Sequence, residues 1–480
     1  MVKAFRLFVC IFTILAAILA LTINSYADVD FVSTHELLPD FNPDAFSEVI
    51  TSADGMYKFL IKQKSGDAYF VYAADPNLTV LNIPEAIDGY RITGASVVYS
   101  ESDSLIRINY PSSTKTIQLN NYYKSRNSNL IPVCTLNLND EIEDLNDTSG
   151  SVLENGSYNH FRQLNIKCKL IVLPKGLKEA SEVHFQTFFF ENVVIQEGAF
   201  LAPQTISIGG FYEQDDPQLF NSAVSVYFTG NASNVDPLAF DYMKHMQSDE
   251  YISDPWYYPN TNVTIYRKPD AEGFERFHGS QYQDALRKYD KNWENFTDEI
   301  PIGYTVKEYT DEWWKDIKEI QSVEISGEGV TLKKDSNGKG TVTELGWSPS
   351  NDPAQYLSRE YELSAKPGDS FTLKSSFAPA DAFDDRTFFV SLNEDVATVD
   401  TESGKVTVLK EGTATIRCVA ASGVFSDCFI YSGSAAQTQV KTQAKSDSLK
   451  AKTPLIIISC SCAAVLIAGV VILTVKKKRR

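Results

Sequence analysis

The chain has 480 residues and a formal charge of −18, which becomes −25 once two cations near its start and five at its end are set aside. So acidic a surface repels nucleic acid and anionic lipid, and it leaves polyanion binding only to a local basic patch. Seven cysteines and five histidines, with no CxxC pair outside the last apolar segment and no histidine beside a cysteine, exclude a disulfide scaffold and give no metal site.

Lys3 and Arg6 precede an apolar stretch from Leu7 to Leu21, and Ser25-Tyr26-Ala27 follows as a small-x-small cleavage site. Residues 1–27 therefore read as a signal peptide and 28–54 as a leader to the first domain. The other end completes a type I topology. Leu455 to Val475 is an uncharged apolar run of 21 residues, and Lys476, Lys477, Lys478, Arg479 and Arg480 follow it. A helix of that length spans the hydrocarbon core of a bilayer, and the five cations hold residues 476–480 on the cytoplasmic side. Residues 28–454 are expected outside the cell. They are too many for one ordinary domain.

From about Gly55 to Tyr309 short β-type runs alternate with Asn, Asp, Gly and Pro. The predicted strands are Tyr57 to Gln63, Ala68 to Ala73, Leu105 to Asn109, Leu164 to Leu173, Glu182 to Phe190 and Ala223 to Phe228. Val183, Phe185 and Phe189, and again Val224, Val226 and Phe228, alternate as strands with one buried face do. Gln281 to Lys291 is the one stretch that reads as a helix. Asp140, Glu141, Glu143, Asp144 and Asp147 form an acidic cluster that lacks the spacing of a calcium loop, so a solvated turn is the plainer reading.

Local sequences in this region carry a resemblance. Leu81-Asn82-Ile83-Pro84-Glu85-Ala86-Ile87-Asp88-Gly89-Tyr90 and Val194-Ile195-Gln196-Glu197-Gly198-Ala199-Phe200 resemble BspA-like leucine-rich repeats of bacterial surface proteins. Val235-Asp236-Pro237-Leu238-Ala239-Phe240 is similar to a worn copy of the second motif, and Ile171 to Leu177 and Ile108 to Pro111 resemble the strand-then-proline segment. The resemblance implies a degenerate leucine-rich-repeat-like β solenoid over residues 55–315, each coil buried by stacking on the next. Phe200 and Phe240 stand 40 residues apart, where that family repeats at a little over twenty. A non-repetitive β domain is the alternative.

The second domain is expected over residues 320–434. Tyr361 to Lys374 gives two strands around Pro367-Gly368. Ser391 to Asp400, Gly404 to Lys410 and Glu411 to Ile416 follow with turns at Ser403-Gly404 and Glu411-Gly412. Order and spacing resemble the group 2 bacterial immunoglobulin-like domain, which implies a β-sandwich beginning near Val323-Glu324-Ile325. Cys418 and Cys428 flank Gly423 symmetrically. In a regular hairpin they would face each other and could form a disulfide. Residues 435–454 hold almost no large apolar side chain and read as a flexible linker.

No HExxH, G-x-S-x-G, Walker loop or dinucleotide fingerprint is present, so no catalytic residue, cofactor or metal ligand is assigned and the chain is not read as an enzyme. Trp256-Tyr257-Tyr258 and Trp313-Trp314 are the aromatic clusters able to stack on a sugar face or anchor a protein, with packing at domain edges as the plainer reading. The two end segments read as a single-pass cell-surface topology, and the two resemblances imply adhesion to, or recognition of, an extracellular protein or glycan, with the immunoglobulin-like domain as spacer. An architectural stalk without a specific ligand is the alternative, and a surface hydrolase or its accessory subunit the third. The bilayer is a partner through residues 455–475; nucleic acid is not.

Overall fold

The computed structural model describes residues 46–62, 66–100, 102, 104–117, 123–124, 131–143, 166–178, 188–202, 223–240, 242–243, 257–258, 263–289, 302–344 and 356–433. The expected signal peptide, linker and membrane span lie outside them. Among the described residues no helix is long and apolar enough to cross a membrane.

Strands β1 (Phe46–Thr51), β2 (Tyr57–Lys62) and β3 (Ala68–Ala73) open the fold as an antiparallel meander. Next come β4 (Val80–Asn82) and β5 (Ala86–Ile87), which turns into β6 (Tyr90–Ser100). The two-residue turn between β5 and β6 holds Asp88 at φ 49° and Gly89 at φ 86°. Such a turn needs positive φ at both positions, so Asp-Gly is the fitting pair.

The ladder that starts at β4 is parallel, while β5 and β6 pair antiparallel. β4 pairs with β7 (Arg107–Asn109), and β7 with β10 (Thr135–Asn137). A bridge from Val133 to Ile166 leads to β11 (Ile166–Leu173), and β12 (Phe188–Ile195), β13 (Val224–Phe228), β16 (Val263–Arg267) and β17 (Thr305–Glu308) follow in chain order. Two minor strands, β8 (Thr116–Ile117) and β9 (Tyr123–Lys124), pair with β6, and β14 (Tyr242–Met243) pairs antiparallel with β15 (Tyr257–Tyr258). Parallel neighbours in chain order require each connection to return across the fold.

The returns are themselves stacked. Backbone N–H groups of Lys115, Glu143, Lys178, Phe200 and Asp236 donate to the carbonyls of Thr93, Lys115, Glu143, Leu177 and Leu201 at 2.8 to 2.9 Å. Between ladder and returns lies one core. Leu81, Ile108 and Leu136, then Ile171, Val193, Val226 and Ile265, project into it from successive strands. Partner residues are 27 apart for Leu81 and Ile108 and 28 for Ile108 and Leu136. The spacing is 22 for Ile171 and Val193, 33 for Val193 and Val226, 39 for Val226 and Ile265, and 41 for Ile265 and Val306. Only one step matches a period of a little over twenty, because the connections differ in length while the strand positions stay in register.

Phe240 is buried in this core, but Phe200 is exposed and Leu201 occupies the interior instead. The first aromatic turn motif is thus displaced by one residue. Helix α1 (Gly279–Tyr289) begins two residues earlier than expected and seals the core with Tyr282 and Leu286, one turn apart on one face.

The remaining strands are β18 (Ser322–Ser326), β19 (Thr331–Leu332), β20 (Val342–Glu344), β21 (Leu357–Ala365), β22 (Ser370–Thr372), β23 (Lys374–Ala378), β24 (Thr387–Ser391), β25 (Ala397–Val399), β26 (Lys405–Val408), β27 (Gly412–Ala420) and β28 (Phe425–Ser432). One sheet runs β23-β18-β21-β28-β27-β24, and β22-β26-β25 forms a second. Val399, Val406 and Val408 from the small sheet and Ile416, Cys418 and Ile430 from the large one share a core. That is the two-layer packing expected of a sandwich. Gly404, at φ 66°, closes the turn between β25 and β26, where an added Cβ would lie 2.4 Å from the Leu373 carbonyl oxygen.

The β27–β28 register corrects the expected cysteine geometry. Cys418 stands opposite Ser426, and Cys428 opposite Ile416. The turn bonds Ala420 to Val424, so it is centred one residue before Gly423 and shifts the partners by two. The thiols are diagonal neighbours, a relation whose Cα separation of about 7–8 Å exceeds that of most disulfides. Both are free and buried.

Candidate recognition surface

The outward side chains of the parallel ladder divide into two zones. In the first, the amides of Asn82, Asn109 and Asn137, in register on β4, β7 and β10, meet in a row at 2.6 and 2.5 Å. Beside them Arg107 is only 1% exposed. Its Nε donates to Asn109 Oδ1 at 3.1 Å, and its Nη1 meets Glu319 Oε1 at 2.9 Å.

The second zone is aromatic. Tyr227 on β13 and Tyr266 on β16 stack in register, 4.7 Å between centroids, and the Lys307 ammonium lies 5.9 Å from the Tyr266 ring. The chain leaving β17 folds back over them. Tyr309, Trp313 and Trp314 pack on Tyr227 at 5.6, 5.8 and 5.2 Å. Tyr309 donates its hydroxyl to the Phe228 carbonyl at 2.7 Å, and burial pushes its phenol up to about 12. Trp314 is buried and Trp313 half-buried, in contact with Phe383 of the sandwich at 5.2 Å. The other aromatic candidates lie elsewhere in the chain: Tyr257 and Tyr258 form β15, and Trp256 lies outside the described residues.

The large sandwich sheet packs against the ladder. Phe388, Val390, Val419 and Ala421 form one buried cluster with Ile106, Ile131 and Cys134. Polar contacts surround it. Arg417 is clamped by both oxygens of Asp427 at 2.8 and 2.9 Å and donates to the Asn77 carbonyl at 2.6 Å. Thr135 Oγ1 donates to the Ala421 carbonyl at 3.3 Å, Arg386 Nη2 to the Lys167 carbonyl at 2.8 Å, and Lys169 pairs with Asp385 at 2.8 Å. The strands involved are buried on both faces. Phe389, Ile416 and Cys418 point into the sandwich, and Phe388, Val390 and Val419 toward the ladder. Near-continuous apolar runs such as Phe388-Phe389-Val390 are the signature of two-sided burial. The same run is visible in the sequence at these residues, which are not among the candidates named there.

On the turn side the surface is charged. Lys115 pairs with Glu141, Lys175 with Asp140 and Lys178 with Glu143, each between successive returns, at 2.6, 3.2 and 2.6 Å. The hydrogen bond from Lys115 holds the Glu141 carboxyl below its ordinary range. Three carboxylates of the acidic cluster are thus engaged by lysines, while Asp144 and Asp147 lie outside the described residues. Among the described residues no group of three His, Cys, Asp or Glu is placed to hold a metal. Two open clefts adjoin this side. One, of about 1250 Å³, is lined by Asn231, Arg267, Glu272, His278 and Thr305; the other, of about 590 Å³, by Glu197, Lys268, Asp270 and Glu312.

Residues 357–427 match the bacterial immunoglobulin-like domain (group 2). No curated protein matches the chain. Among solved structures the chain is similar to a C-terminal 282-residue fragment of intimin, crystallised in complex with the intimin-binding domain of the translocated intimin receptor. The identity is 18% over 23% of this chain and 31% of that one, with a TM-score of 0.15. The chain therefore spans about a third of that fragment.

Proposed function

We propose that this is a membrane-anchored bacterial surface protein that recognises an extracellular protein or glycan through its N-terminal β unit. The observation that carries the reading is the immunoglobulin-like match joined to a parallel ladder of coils. Such an elongated stack offers a broad surface rather than a deep enclosed pocket, which suits polymeric or protein partners. The ladder is, in this reading, a degenerate leucine-rich-repeat-like solenoid, supported by strands in chain order, by stacked returns and by the motif at Leu81 to Tyr90. The membrane anchor rests on the 21-residue apolar run and its five cations.

The contact surface is assigned to the turn side and its clefts, because the sandwich and the Trp313-Trp314 segment cover much of the sheet side. The immunoglobulin-like domain then belongs to the folded body, and residues 435–454 alone provide the spacer. One observation favours the architectural reading instead: the Trp313-Trp314 cluster is spent on packing rather than displayed.

Binding of residues 28–450 to an array of matrix proteins, mucins and cell-wall glycans, beside residues 320–434, tests the proposal. Saturable binding by the longer chain alone supports it. Silence from both supports the architectural reading, and equal binding moves recognition to the sandwich.

A further inference from the structure

The chain leaves the last ladder strand β17 at Glu308, yet eleven residues later Glu319 reaches Arg107 on β7, near the opposite end of the ladder. Between them Tyr309, Trp313 and Trp314 pack on the outward Tyr227 ring of β13. Six strand-to-strand steps of about 4.8 Å make about 29 Å, and residues 309–318 cover that path with a 3-10 turn at Trp313–Lys315 among them. The segment is therefore a strap drawn across the sheet. Its far end is held by the sandwich. Lys318 pairs with Asp381, the Phe383 N–H donates to the Lys318 carbonyl, and Ile320 is buried in the sandwich core.

We infer that strap and sandwich act as an intramolecular lock. Together they close the outer face of the ladder and make ladder and immunoglobulin-like domain one cooperatively unfolding body rather than beads on a string. Three independent features support the lock. The shared apolar cluster takes fully buried side chains from both sides, Ile106 from one and Val419 from the other. The Arg107 guanidinium is buried, and its carboxylate comes from the strap. Arg417, though held by Asp427 within the sandwich, spends a donor on a ladder carbonyl. A sandwich merely tethered by a flexible linker would leave Phe388, Val390 and Val419 in water, an apolar patch that soluble surfaces rarely keep. The lock also withdraws the sheet side from any ligand.

Native-state hydrogen exchange on the full chain in lipid nanodiscs, comparing Val419→Ala with Ile131→Ala, tests this. Each substitution removes buried carbon atoms on one side of the shared cluster only. The lock predicts reciprocal effects: Val419→Ala speeds exchange of the β7 and β10 amides by on the order of tenfold, the size expected for two lost buried methyl groups, and Ile131→Ala, which removes three buried carbons, speeds exchange in β24 and β27 by at least as much. Acceleration confined in both variants to the substituted domain would overturn the lock. So would small-angle scattering from the wild-type chain that fits two separated bodies, a readout that does not depend on how either variant folds.

Discussion

Replacing Glu319 by Gln preserves shape and removes one charge, and the structure sets the cost. Arg107 is 1% exposed, so its guanidinium has no water with which to replace the lost carboxylate. Breaking a buried ion pair by removing one partner costs about 3–5 kcal/mol, against about 0–1 kcal/mol for an exposed pair. Two features place this site at the low end. The Glu319 side chain is 24% exposed, and Asn109 still accepts from Nε at 3.1 Å. About 3 kcal/mol is therefore expected. The double substitution Arg107→Met with Glu319→Met removes both charges and should lie within about 1 kcal/mol of wild type, since apolar replacements of buried pairs are often neutral. Urea unfolding followed by tryptophan fluorescence and circular dichroism measures both, with unchanged slopes indicating a pure stability change. A loss below 1 kcal/mol for Glu319→Gln, or an equal loss for the double variant, would refute the reasoning.

Four further outcomes are expected. A Cβ at Gly94 would stand 2.3 Å from the Tyr69 ring, so Gly94→Ala should destabilise by about 1–3 kcal/mol, and by less when Tyr69 is Ala, as a thermal-melt double cycle would show. Burial pushes the Cys418 and Cys428 thiols up to about 12, so neither should be alkylated in the native protein at pH 8, whereas mass spectrometry should find both modified after unfolding. The hydrogen bond from Lys169 holds the Asp385 carboxyl below its ordinary range. Such a group stabilises the fold above the unfolded carboxylate pKa of about 4 and loses that contribution as pH falls through its folded value, so melting temperature should fall less steeply on acidification in Lys169→Met. With lysines engaging Asp140, Glu141 and Glu143, millimolar calcium should leave the melting curve unmoved; an upward shift would show a site there.

The sequence marked individual strands well where one face is buried and the other wet. Val224, Val226 and Phe228 alternate in burial along β13, and Ala68 to Ala73 is a strand to the residue. Their order in space was harder to see. Parallel neighbours keep register through paired strands, while connection length is free to vary, so the spacings run from 22 to 41 residues with no fixed interval to read. The cysteine pair misled because symmetry about Gly423 assumed a turn centred on the glycine, whereas the bonded turn is centred on Ser422. Docking of the sandwich on the ladder depends on contacts between residues hundreds apart, such as Arg417 and Asn77. Its only local trace is apolarity on both faces of β24 and β27, a pattern a buried strand in any sheet would share.

The docking of the immunoglobulin-like domain on the ladder, and the proposed outward facing of the body, are tested most directly on intact cells displaying the chain, with a membrane-impermeant, zero-length reagent that couples carboxylates to amines, followed by peptide mass spectrometry. Lys169 lies 2.8 Å from Asp385 across the interface. An intramolecular link between peptides carrying these two residues is the predicted result. Its absence, while the exposed Lys115 and Glu141 pair is linked, would contradict the docking of the immunoglobulin-like domain on the ladder.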